Sequence, residues 1–451
     1  MDGQAGDAGA GGAGPSCDLS GNPREASCLV TDEHAVFVSP EGDDDNPGTQ
    51  GAPLATLTAA AEAADGKKVV LVCNAVYQQE RVSIRSGARI YGGFRCSDWS
   101  VDIKRPTFAP ITPGPALNIV GATDPVLIDQ VNFQVGDAAT PGASAVAALV
   151  TDSVSVTLQA VGLKAGKGKA ASPAEQSNFP FAEAGALAGF SESLGGGAKV
   201  CACQGSLQSA GGAGGAKSPL GAPGLPGTPA LGGGQGGAVE PNDCGNGSSG
   251  KKGSDAAPAP PAPKLLTLGK VSSEGWNPAA GVSGEPGTPG QGGGGGASLN
   301  DSGHGGGGGC GGCGGNGGPG GQGGGASIAL VVNASTINLK ACTLVANDAG
   351  DGGSGAVGQP GQQTSGAGGS AISLANSCVG GNGGKGGHGG AGGGGAGGIS
   401  VGVVWRGTSE PTLSVDTTTT FGKAGVKGLG GVPGTNDGPE GLAQAVWKSL
   451  D

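Results

Sequence analysis

The chain has 451 residues, of which 104 are Gly and 30 are Pro. Together they make up about 30 % of the sequence, against roughly 12 % in average proteins. Aromatic residues account for 3 % and Met occurs once, so too few large apolar side chains are present for the helix interfaces of an ordinary helical or Rossmann-type enzyme. The Val, Ile and Leu residues cluster in short runs, which argues against a fully disordered chain.

The charge of the chain argues against two classes of partner. The formal net charge is −11, which disfavours nucleic acid and an anionic membrane surface. No apolar run approaches the roughly 20 residues that cross a bilayer, so no transmembrane segment is expected. The residues after Met1 lack the pattern of a signal peptide, and we interpret the sequence as an already processed form of an exported protein.

Cysteine is frequent for a chain with a single Met. Eleven cysteines are typical of disulfide-bonded proteins of an oxidising compartment, and the odd number leaves one thiol free or intermolecular. Buried free thiols in a cytosolic protein are the alternative. The candidates for disulfide bonds are Cys17, Cys28, Cys73, Cys96, Cys201, Cys203, Cys310, Cys313, Cys342 and Cys378, and the remaining cysteine is Cys244.

The first predicted elements follow a tether. Residues 1–16 are mostly small and have nothing to bury. A strand is predicted over 34–39, where apolar and polar residues alternate, and a turn rich in Pro, Gly and Asp comes next. An Ala-rich helix with one apolar face is predicted over 53–65, and Gly66 ends it.

Short strands without intervening helices come after the predicted helix. They cover residues 69–73, 82–84, 88–91, 116–120 and 126–131. The chain also repeats itself, because Ala148–Leu163 aligns without gaps on Ala329–Leu344 and a degenerate third copy lies at Val401–Val415. Apolar and polar residues alternate in these copies, so each strand has a buried and an exposed face. The pattern predicts an all-β solenoid whose coils bury their apolar faces on one another.

Two motifs resemble a known fold family. One is Val38-Ser-Pro-Glu-Gly-Asp-Asp-Asp-Asn-Pro-Gly-Thr49, which Pro53, Thr56 and the Ala-rich helix follow, and the other is Ile90-Tyr-Gly-Gly-Phe-Arg-Cys-Ser-Asp-Trp99. Over roughly residues 34–165 the chain resembles bacterial surface proteins with a pectin-lyase-like fold. The resemblance implies a right-handed parallel β-helix with a capping helix over its first coil. Because this fold family includes polysaccharide lyases, hydrolases and proteins without known activity, the fold does not give the function.

The resemblance also suggests how the first cysteines pair. Coils of this fold take a little over twenty residues, and 23 residues separate Cys73 from Cys96. Neighbouring parallel strands lie about 4.8 Å apart, within the Cα separation that a disulfide accepts. We therefore expect a Cys73–Cys96 bond between the first two coils and a Cys17–Cys28 bond that closes a separate N-terminal loop.

Glycine recurs with a period of three. From His304 to Gln322 every side chain larger than hydrogen falls at a multiple of three residues, and the same phase returns over 382–391. Three residues per turn is the repeat of the polyproline II helix, and bare glycine edges would let such helices hydrogen-bond side by side. These segments resemble the polyglycine II bundles of an arthropod antifreeze protein and of phage tail-tip adhesins. A flexible glycine linker is the alternative.

The patterns divide the chain into five parts. We predict a tether and disulfide loop at 1–33, an N-terminal β-helix with its capping helix at 34–165, a glycine- and proline-rich insertion at 166–324, further coils alternating with glycine-rich segments at 325–438, and a C-terminal capping helix at 439–451. The last helix is predicted because its apolar residues share one face and the ends of a solenoid need covering.

Residues that could bind a metal are few. His304, Cys310 and Cys313 suggest zinc, but on a three-residue helix the two cysteines stand about 9 Å apart. That separation hinders a shared tetrahedral zinc and excludes a Cys310–Cys313 bond, so each cysteine is expected to bond to a neighbouring coil. The carboxylates of Asp43–Asp45 could bind calcium, although a solvated turn is the preferred interpretation. No other cofactor is predicted.

Catalytic candidates are equally sparse. A uronate lyase needs a basic side chain beside a carboxylate-held calcium, and a glycosidase needs outward-facing carboxylates as acid and base. Asp129 and Asp152 are the strand-adjacent candidates for a hydrolase. The basic candidates for a lyase, which have no Asp repeating beside them at coil spacing, are Arg81, Arg85, Arg89 and Arg105.

The sequence therefore predicts a non-enzymatic, secreted or cell-surface bacterial protein with a structural or adhesive role. In this interpretation a β-helix scaffold displays ordered glycine-rich segments. Two alternatives stay open: a polysaccharide lyase or hydrolase on the same fold, and an ice- or glycan-binding surface formed by the glycine segments. The expected partners are a cell-surface glycan or other surface proteins, with end-to-end self-association as a further option.

Overall fold

The computed structural model of the protein describes residues 17–78, 81–191, 196–216, 227–228, 233–238, 253–254, 260–298, 304–370 and 378–449. The predicted tether at 1–16 and Cys244 lie outside these ranges. Regular structure in the described chain is mostly β, with short helices. None of the described helices is long and apolar enough to span a bilayer.

Three parallel sheets form the body of the molecule. Sheet A contains β1 (Ala35–Val38), β2 (Val69–Cys73), β5 (Ala88–Phe94), β8 (Val126–Asp129), β11 (Val156–Gln159), β18 (Ile337–Lys340) and β21 (Thr412–Leu413). Sheet B contains β3 (Val76–Tyr77), β6 (Thr107–Phe108), β9 (Asn132–Gln134), β12 (Gly162–Lys164), β19 (Thr343–Val345) and β22 (Thr418–Thr420). Sheet C contains β4 (Val82–Ile84), β7 (Leu117–Val120), β10 (Ala145–Thr151), β17 (Ser327–Asn333), β20 (Ser400–Arg406) and β23 (Ala443–Lys448).

The chain visits these sheets in a fixed order. From β2 onward it passes through sheet A, sheet B and sheet C in turn, and each strand pairs in parallel with the strand of the preceding round. Because alternate residues of a strand face opposite sides, one side chain in two points into a shared core. Burial of each large apolar side chain stabilises the fold by about 1.5–3 kcal/mol. On the core side of sheet B, the rings of Tyr77, Phe108 and Phe133 stack with centroids 4.6 and 5.5 Å apart.

The predicted N-terminal helix is present as α1 (Leu57–Ala64). Thr56 caps it, since its Oγ1 accepts a hydrogen bond from the Ala59 N–H at 3.2 Å, which satisfies one of the free N–H groups of the first turn. The apolar face of α1 packs on the first strands and closes that end of the core. Leu54, predicted within the helix, instead forms a parallel bridge with Val38.

The predicted C-terminal helix is wrong, because residues 443–448 form strand β23. This strand pairs in parallel with β20 from Ala443 opposite Ser400 to Lys448 opposite Trp405. The row of N–H and C=O groups on β20 offers more hydrogen bonds than an isolated helix of this length could form for itself. Trp447 also packs against Trp276 with ring centroids 5.6 Å apart. Tertiary pairing therefore overrides the local helical pattern.

The internal repeat is reproduced with one shift. The gapless alignment matches the pairing in sheets A and B, where Val156 lies opposite Ile337 and Gly162 opposite Thr343. In sheet C the register is one residue different, with Ala148 opposite Leu330. The corner between sheets C and A is therefore one residue shorter in the second copy.

The three corners between sheets differ in length. From A to B the turns after β8, β11 and β18 are short and place Gln130, Ala160 and Ala341 in the left-handed region, with φ of 50–56°, whereas residues 95–106 lie between β5 and β6. The corner from C to A is also short. All the long segments leave at the corner from B to C, where 165–326, 346–399 and 421–442 lie between consecutive strands.

The segments from this corner run side by side and form what we call the glycine bundle, made of residues 279–296, 304–325, 350–370, 378–398 and 425–441. Backbone hydrogen bonds join neighbouring segments at every third residue. We call residues 304–325 the central segment. The N–H groups of its Gly309, Gly312 and Gly315, for example, donate to the carbonyls of Gly381, Gly384 and Gly387 at 2.9–3.0 Å. The period of three in the sequence is thus the period of the hydrogen bonds.

The bundle and sheet C share one register. N–H groups of the central segment bond to carbonyls 72 residues later, from Gly306 with Cys378 to Gly324 with Ala396. The next bond in this series joins Ser327 of β17 to Ile399 at 2.8 Å. Pairing of β17 with β20 then continues without interruption. The glycine segments 304–325 and 378–398 therefore extend β17 and β20, the strands that follow them.

Hydrogen exchange should report this order directly. We expect slow amide exchange over 304–324 and 380–398, because most N–H groups there have backbone partners and exchange requires the bundle to open. Exchange followed by mass spectrometry tests this, with the turn at 407–410 as a fast reference. Rapid exchange throughout both segments would return them to the flexible-linker interpretation.

Two hairpins interrupt the insertion between β12 and β17. One pairs β13 (Val200–Ala202) with β14 (Gln208–Ala210), and the other pairs β15 (Gly269–Ser272) with β16 (Gly275–Pro278). A short helix, α2 (Ala184–Leu187), precedes them. The sequence predicted only a glycine- and proline-rich insertion here.

Candidate functional site

Disulfide bonds fix the N-terminal region and the glycine bundle. In the structure Cys17 bonds to Cys28 and Cys73 to Cys96, with Cα atoms 5.9 and 4.9 Å apart. Both are the pairs expected from the sequence. Two further bonds, Cys201–Cys310 and Cys203–Cys313, attach the β13–β14 hairpin to the central glycine segment. Cys378 is also disulfide-bonded.

Cys342, one of the disulfide candidates, is instead a buried free thiol. It follows the corner from sheet A to sheet B, and its Sγ lies 3.2 Å from the carbonyl oxygen of Leu158. Burial raises the pKa of the Cys342 thiol, which makes it a poor nucleophile. The register of the paired strands puts Val161 and Thr417 at the equivalent positions on either side of Cys342, so neither neighbour offers a second sulfur. Cys342 acts as a core residue.

The metal candidates have structural roles. Cys310 and Cys313 are bonded to other cysteines, so neither thiolate is available to form a zinc site with His304. In the acidic turn, Asp44 Oδ1 accepts hydrogen bonds from the N–H groups of Ala55 and Thr56 at 3.0 and 2.8 Å. Asp44 therefore holds the N-terminal end of α1. Within the described ranges no three His, Cys, Asp or Glu side chains group as metal ligands.

The carboxylates considered for a hydrolase are not brought together. Asp129 ends a strand of sheet A and is buried, and its Oδ2 lies 2.6 Å from Arg24 Nη2. Asp152 is exposed at the corner before sheet A, in the left-handed conformation. The length of strand β11 lies between these two corners. A pair of carboxylates on either side of one sugar is therefore not available from them.

The four basic candidates for a lyase are also dispersed. Arg81 and Arg85 flank β4 of sheet C and are exposed. Arg89 lies in sheet A, where its guanidinium donates to the carbonyl of Leu19. Arg105 precedes β6 and reaches the outer face of sheet B.

The outer faces of sheets A and C are largely covered. Over sheet A, Trp99 packs on Phe37 with ring centroids 4.7 Å apart, and the N-terminal segment 17–34 crosses to Asp129. Sheet C has an apolar outer face that packs against Val271 and Trp276 of the β15–β16 hairpin.

Sheet B carries an open groove of about 310 Å³ on its outer face, across strands β6, β9, β12 and β19. Phe133, Leu163 and Leu344 point into the core, so their neighbours along each strand point outward. Pairing aligns these outward residues in two rows. The first row is Thr107, Asn132, Gly162 and Thr343, and the second is Gln134, Lys164 and Val345.

Local packing shapes the floor of the groove. Asn132 leans over the next strand, because a Cβ at Gly162 would lie 2.4 Å from Asn132 Oδ1. Glycine at this position therefore leaves room for the Asn132 amide, which also approaches Thr107 Oγ1 at 3.5 Å. The result is a shallow surface of amides and hydroxyls on rigid strands.

The groove is positively charged within an acidic protein. Arg105 and Lys164 line it, and neither makes an ion pair with the described part of the chain. The whole chain has a net charge of −11, so two unpaired cations in one groove form a local exception. An unpaired cation on a preformed polar surface attracts an anionic group.

Sequence reasoning singled out Arg105 but missed the rest of this groove. Thr107 pairs with Asn132 25 residues later, Asn132 and Gln134 pair with residues 30 positions later, and Lys164 pairs with Val345 181 positions later. None of these residues belongs to a motif. These residues share only their position: each is the sequence neighbour of an aromatic or Leu residue of a sheet-B strand that points into the core. The groove can be recognised only once the pairing register of the sheet-B strands is known.

Comparison with known proteins gives limited likenesses. No protein-family model matches the chain, and no curated protein matches it. A rhamnogalacturonan lyase structure is 16 % identical over 31 % of this chain and 37 % of its own, with a TM-score of 0.21. A GH136 lacto-N-biosidase from Eubacterium ramulus is 13 % identical over 30 % of this chain and 27 % of its own, with a TM-score of 0.23. The aligned part therefore spans about a third of each protein, and both act on carbohydrates.

Proposed function

We propose that this chain is an exported, non-enzymatic protein that binds an acidic polysaccharide along the sheet-B groove. The observation that carries the proposal is the pair of unpartnered cations, Arg105 and Lys164, in a protein of net charge −11. Between them lie neutral amides and hydroxyls, the groups that hydrogen-bond to sugar hydroxyls. Neighbouring strands lie about 4.7–4.9 Å apart, close to the length of one sugar ring, so a glycan laid across the strands meets a new strand at each sugar.

We propose that the scaffold is a right-handed parallel β-helix and that the glycine bundle is built of polyglycine II helices. The fixed order of visits to three parallel sheets supports the first assignment. Backbone hydrogen bonds at every third residue support the second. In this view the bundle is a rigid structural element beside the binding surface.

An extracellular or cell-surface location forms part of the proposal. Four disulfide bonds join described cysteines, and such bonds persist in oxidising compartments. A surface glycan is then the natural ligand for the groove. Adhesion would follow from holding a polymer across several coils.

The test is calorimetric titration with polygalacturonate and with a neutral galactan. We expect wild-type protein to bind the acidic polymer more tightly, and added salt to weaken that binding. Arg105→Gln and Lys164→Gln should each weaken binding about tenfold or more, because a hydrogen bond to a charged group contributes roughly 1.5–3 kcal/mol. Lys104→Gln is the matched control, since Lys104 is exposed beside Arg105 and does not line the groove. Equal binding by all three variants would refute the site.

A lyase is the second candidate, favoured by the presence of two cations in one groove. Elimination from a uronate needs one cation to neutralise the carboxylate and a base to take the proton from C5. The C5 electron pair then forms a C4–C5 double bond while the C4–O bond breaks, and the departing oxygen takes a proton from water. Arg105, which stays protonated, would neutralise the carboxylate, and Lys164 in its neutral amine form would take the C5 proton. Ultraviolet absorbance of an unsaturated product, lost in Lys164→Gln, would identify this activity and exclude pure binding.

A further inference from the structure

A second cleft, of about 730 Å³, lies at the edge of the glycine bundle and shares no lining residue with the sheet-B groove. Its walls are the stretch 175–177, the hairpin turn 204–207, and the parts of two bundle segments at 283–286 and 316–319. Apart from Glu175, the side chains that line it are uncharged. It is therefore a cleft between extended backbones with one charged side chain, that of Glu175, in its lining.

The walls of this cleft are held in place. The disulfides Cys201–Cys310 and Cys203–Cys313 fix the hairpin to the central glycine segment. Asn316 Nδ2 donates to the carbonyl of Ser177 at 2.8 Å, and Gln204 Nε2 donates to the carbonyl of Gly315 at 3.2 Å. A ligand would enter a preformed space with little reorganisation of the protein.

Along one edge of the central segment, the backbone N–H groups near this cleft have no hydrogen-bond acceptor among the described residues. At three-residue intervals, the N–H groups of Gly305, Gly308 and Gly311 donate to acceptors in the stretch 209–215. The next two N–H groups in the series, those of Gly314 and Gly317, have no partner among the described residues. Gly317 lines the cleft, as does Ser283, whose N–H is likewise unpaired within the described chain.

We propose that this cleft is a vacant position of the glycine bundle and that it binds an extended glycine- and proline-rich peptide of a partner protein. Such a peptide in the polyproline II conformation rises about 3.1 Å per residue. Its carbonyls therefore return at the spacing of the free N–H groups on this edge. Proline rings of the peptide would pack on Pro286, Pro319 and Leu207. A glycine- and proline-rich chain already populates this conformation, so it loses little entropy on binding.

The probe is a synthetic peptide of repeated Gly-Gly-Pro units, titrated calorimetrically against the full chain. A peptide of the same composition with its prolines grouped at one end lacks the three-residue period and serves as the ligand control. We expect one peptide per chain, and binding at least about tenfold weaker for the grouped peptide.

Cleft variants locate the site. Ser283→Trp and Ser206→Trp place a bulky ring in the cleft from opposite walls, and both residues are exposed. Each should weaken binding at least about tenfold. Val282→Trp puts the same ring on an exposed neighbour that does not line the cleft, and it should bind like wild type. Slow amide exchange over 304–325 in all three variants would show that the bundle is intact.

Three results would overturn the assignment. They are the absence of binding to wild type, equal affinity for the periodic and grouped peptides, and binding that Arg105→Gln abolishes while Ser283→Trp leaves it unchanged. The last would place the peptide in the sheet-B groove. Loss of polygalacturonate binding in Arg105→Gln with peptide binding retained would separate the two sites.

Discussion

Gly389→Ala is expected to destabilise the glycine bundle by about 3 kcal/mol, the upper end of the usual cost of overpacking. A Cβ at Gly389 would lie 2.0 Å from the carbonyl oxygen of Asn316 and 2.5 Å from its carbonyl carbon. Both atoms are backbone, so no side chain can rotate away. The N–H of Gly389 also donates to the carbonyl of Gln359 at 2.9 Å, which prevents the segment from shifting alone. Denaturant unfolding and amide exchange over 378–398 measure the effect.

Gly136→Ala is the matched control for this variant. Gly136 lies between β9 and β10, and a Cβ there would meet no heavy atom within 4 Å. Alanine restricts the unfolded chain, so we expect a change of less than about 1 kcal/mol, in the stabilising direction. Equal stability of the two variants would contradict the close packing of the bundle.

Arg24→Met is expected to cost about 3–5 kcal/mol, because it leaves a buried carboxylate without its cation. Arg24 Nη2 lies 2.6 Å from Asp129 Oδ2, and the two side chains are 12 % and 2 % exposed. The remaining partner of that oxygen is Gln159 Nε2 at 3.2 Å, while the buried Oδ1 has no hydrogen bond in the described structure. We expect lower stability in denaturant and faster exchange over residues 17–34.

A double variant separates charge from packing at this pair. Arg24→Met with Asp129→Asn removes the buried charge and should recover most of the lost stability. Arg85→Met is the control, because Arg85 is exposed and makes no polar contact with the described residues; it should stay within about 0.5 kcal/mol of wild type. A similar loss in the single and double variants would show that the Arg24 side chain acts through packing.

Much of the sheet structure could be predicted from the sequence because it depends on local alternation. Val69–Cys73 and Val82–Ile84 were found where their apolar patterns place them. The Cys73–Cys96 pair could be foreseen since one coil length separates the two residues. The period of three also marked two segments of the bundle, 304–322 and 382–391, but not the segments 279–296 and 350–370 that bond to them.

The remaining features depend on contacts between distant residues. Strand β23 is decided by the free edge of β20, so its own helical pattern misled the prediction. The Arg24–Asp129 pair joins residues 105 positions apart, and no pattern in the sequence around either residue identifies the other as its partner. The sheet-B groove is assembled from ordinary Thr, Asn, Gln and Lys residues that only the register between coils brings into line.

The shared register of bundle and sheet C has a consequence for how such a molecule can grow. The same N–H···O=C bond sets the spacing between strands and the spacing between glycine segments, so the two lattices match where they meet. Tandem duplication of one round of three strands together with its glycine segment would add one strand to each sheet and one segment to the bundle. The hydrogen-bond spacing would stay continuous between sheet C and the bundle. Lengthening by whole units would therefore preserve existing contacts, whereas an insertion out of phase with the three-residue period would break the hydrogen bonds of every neighbouring segment.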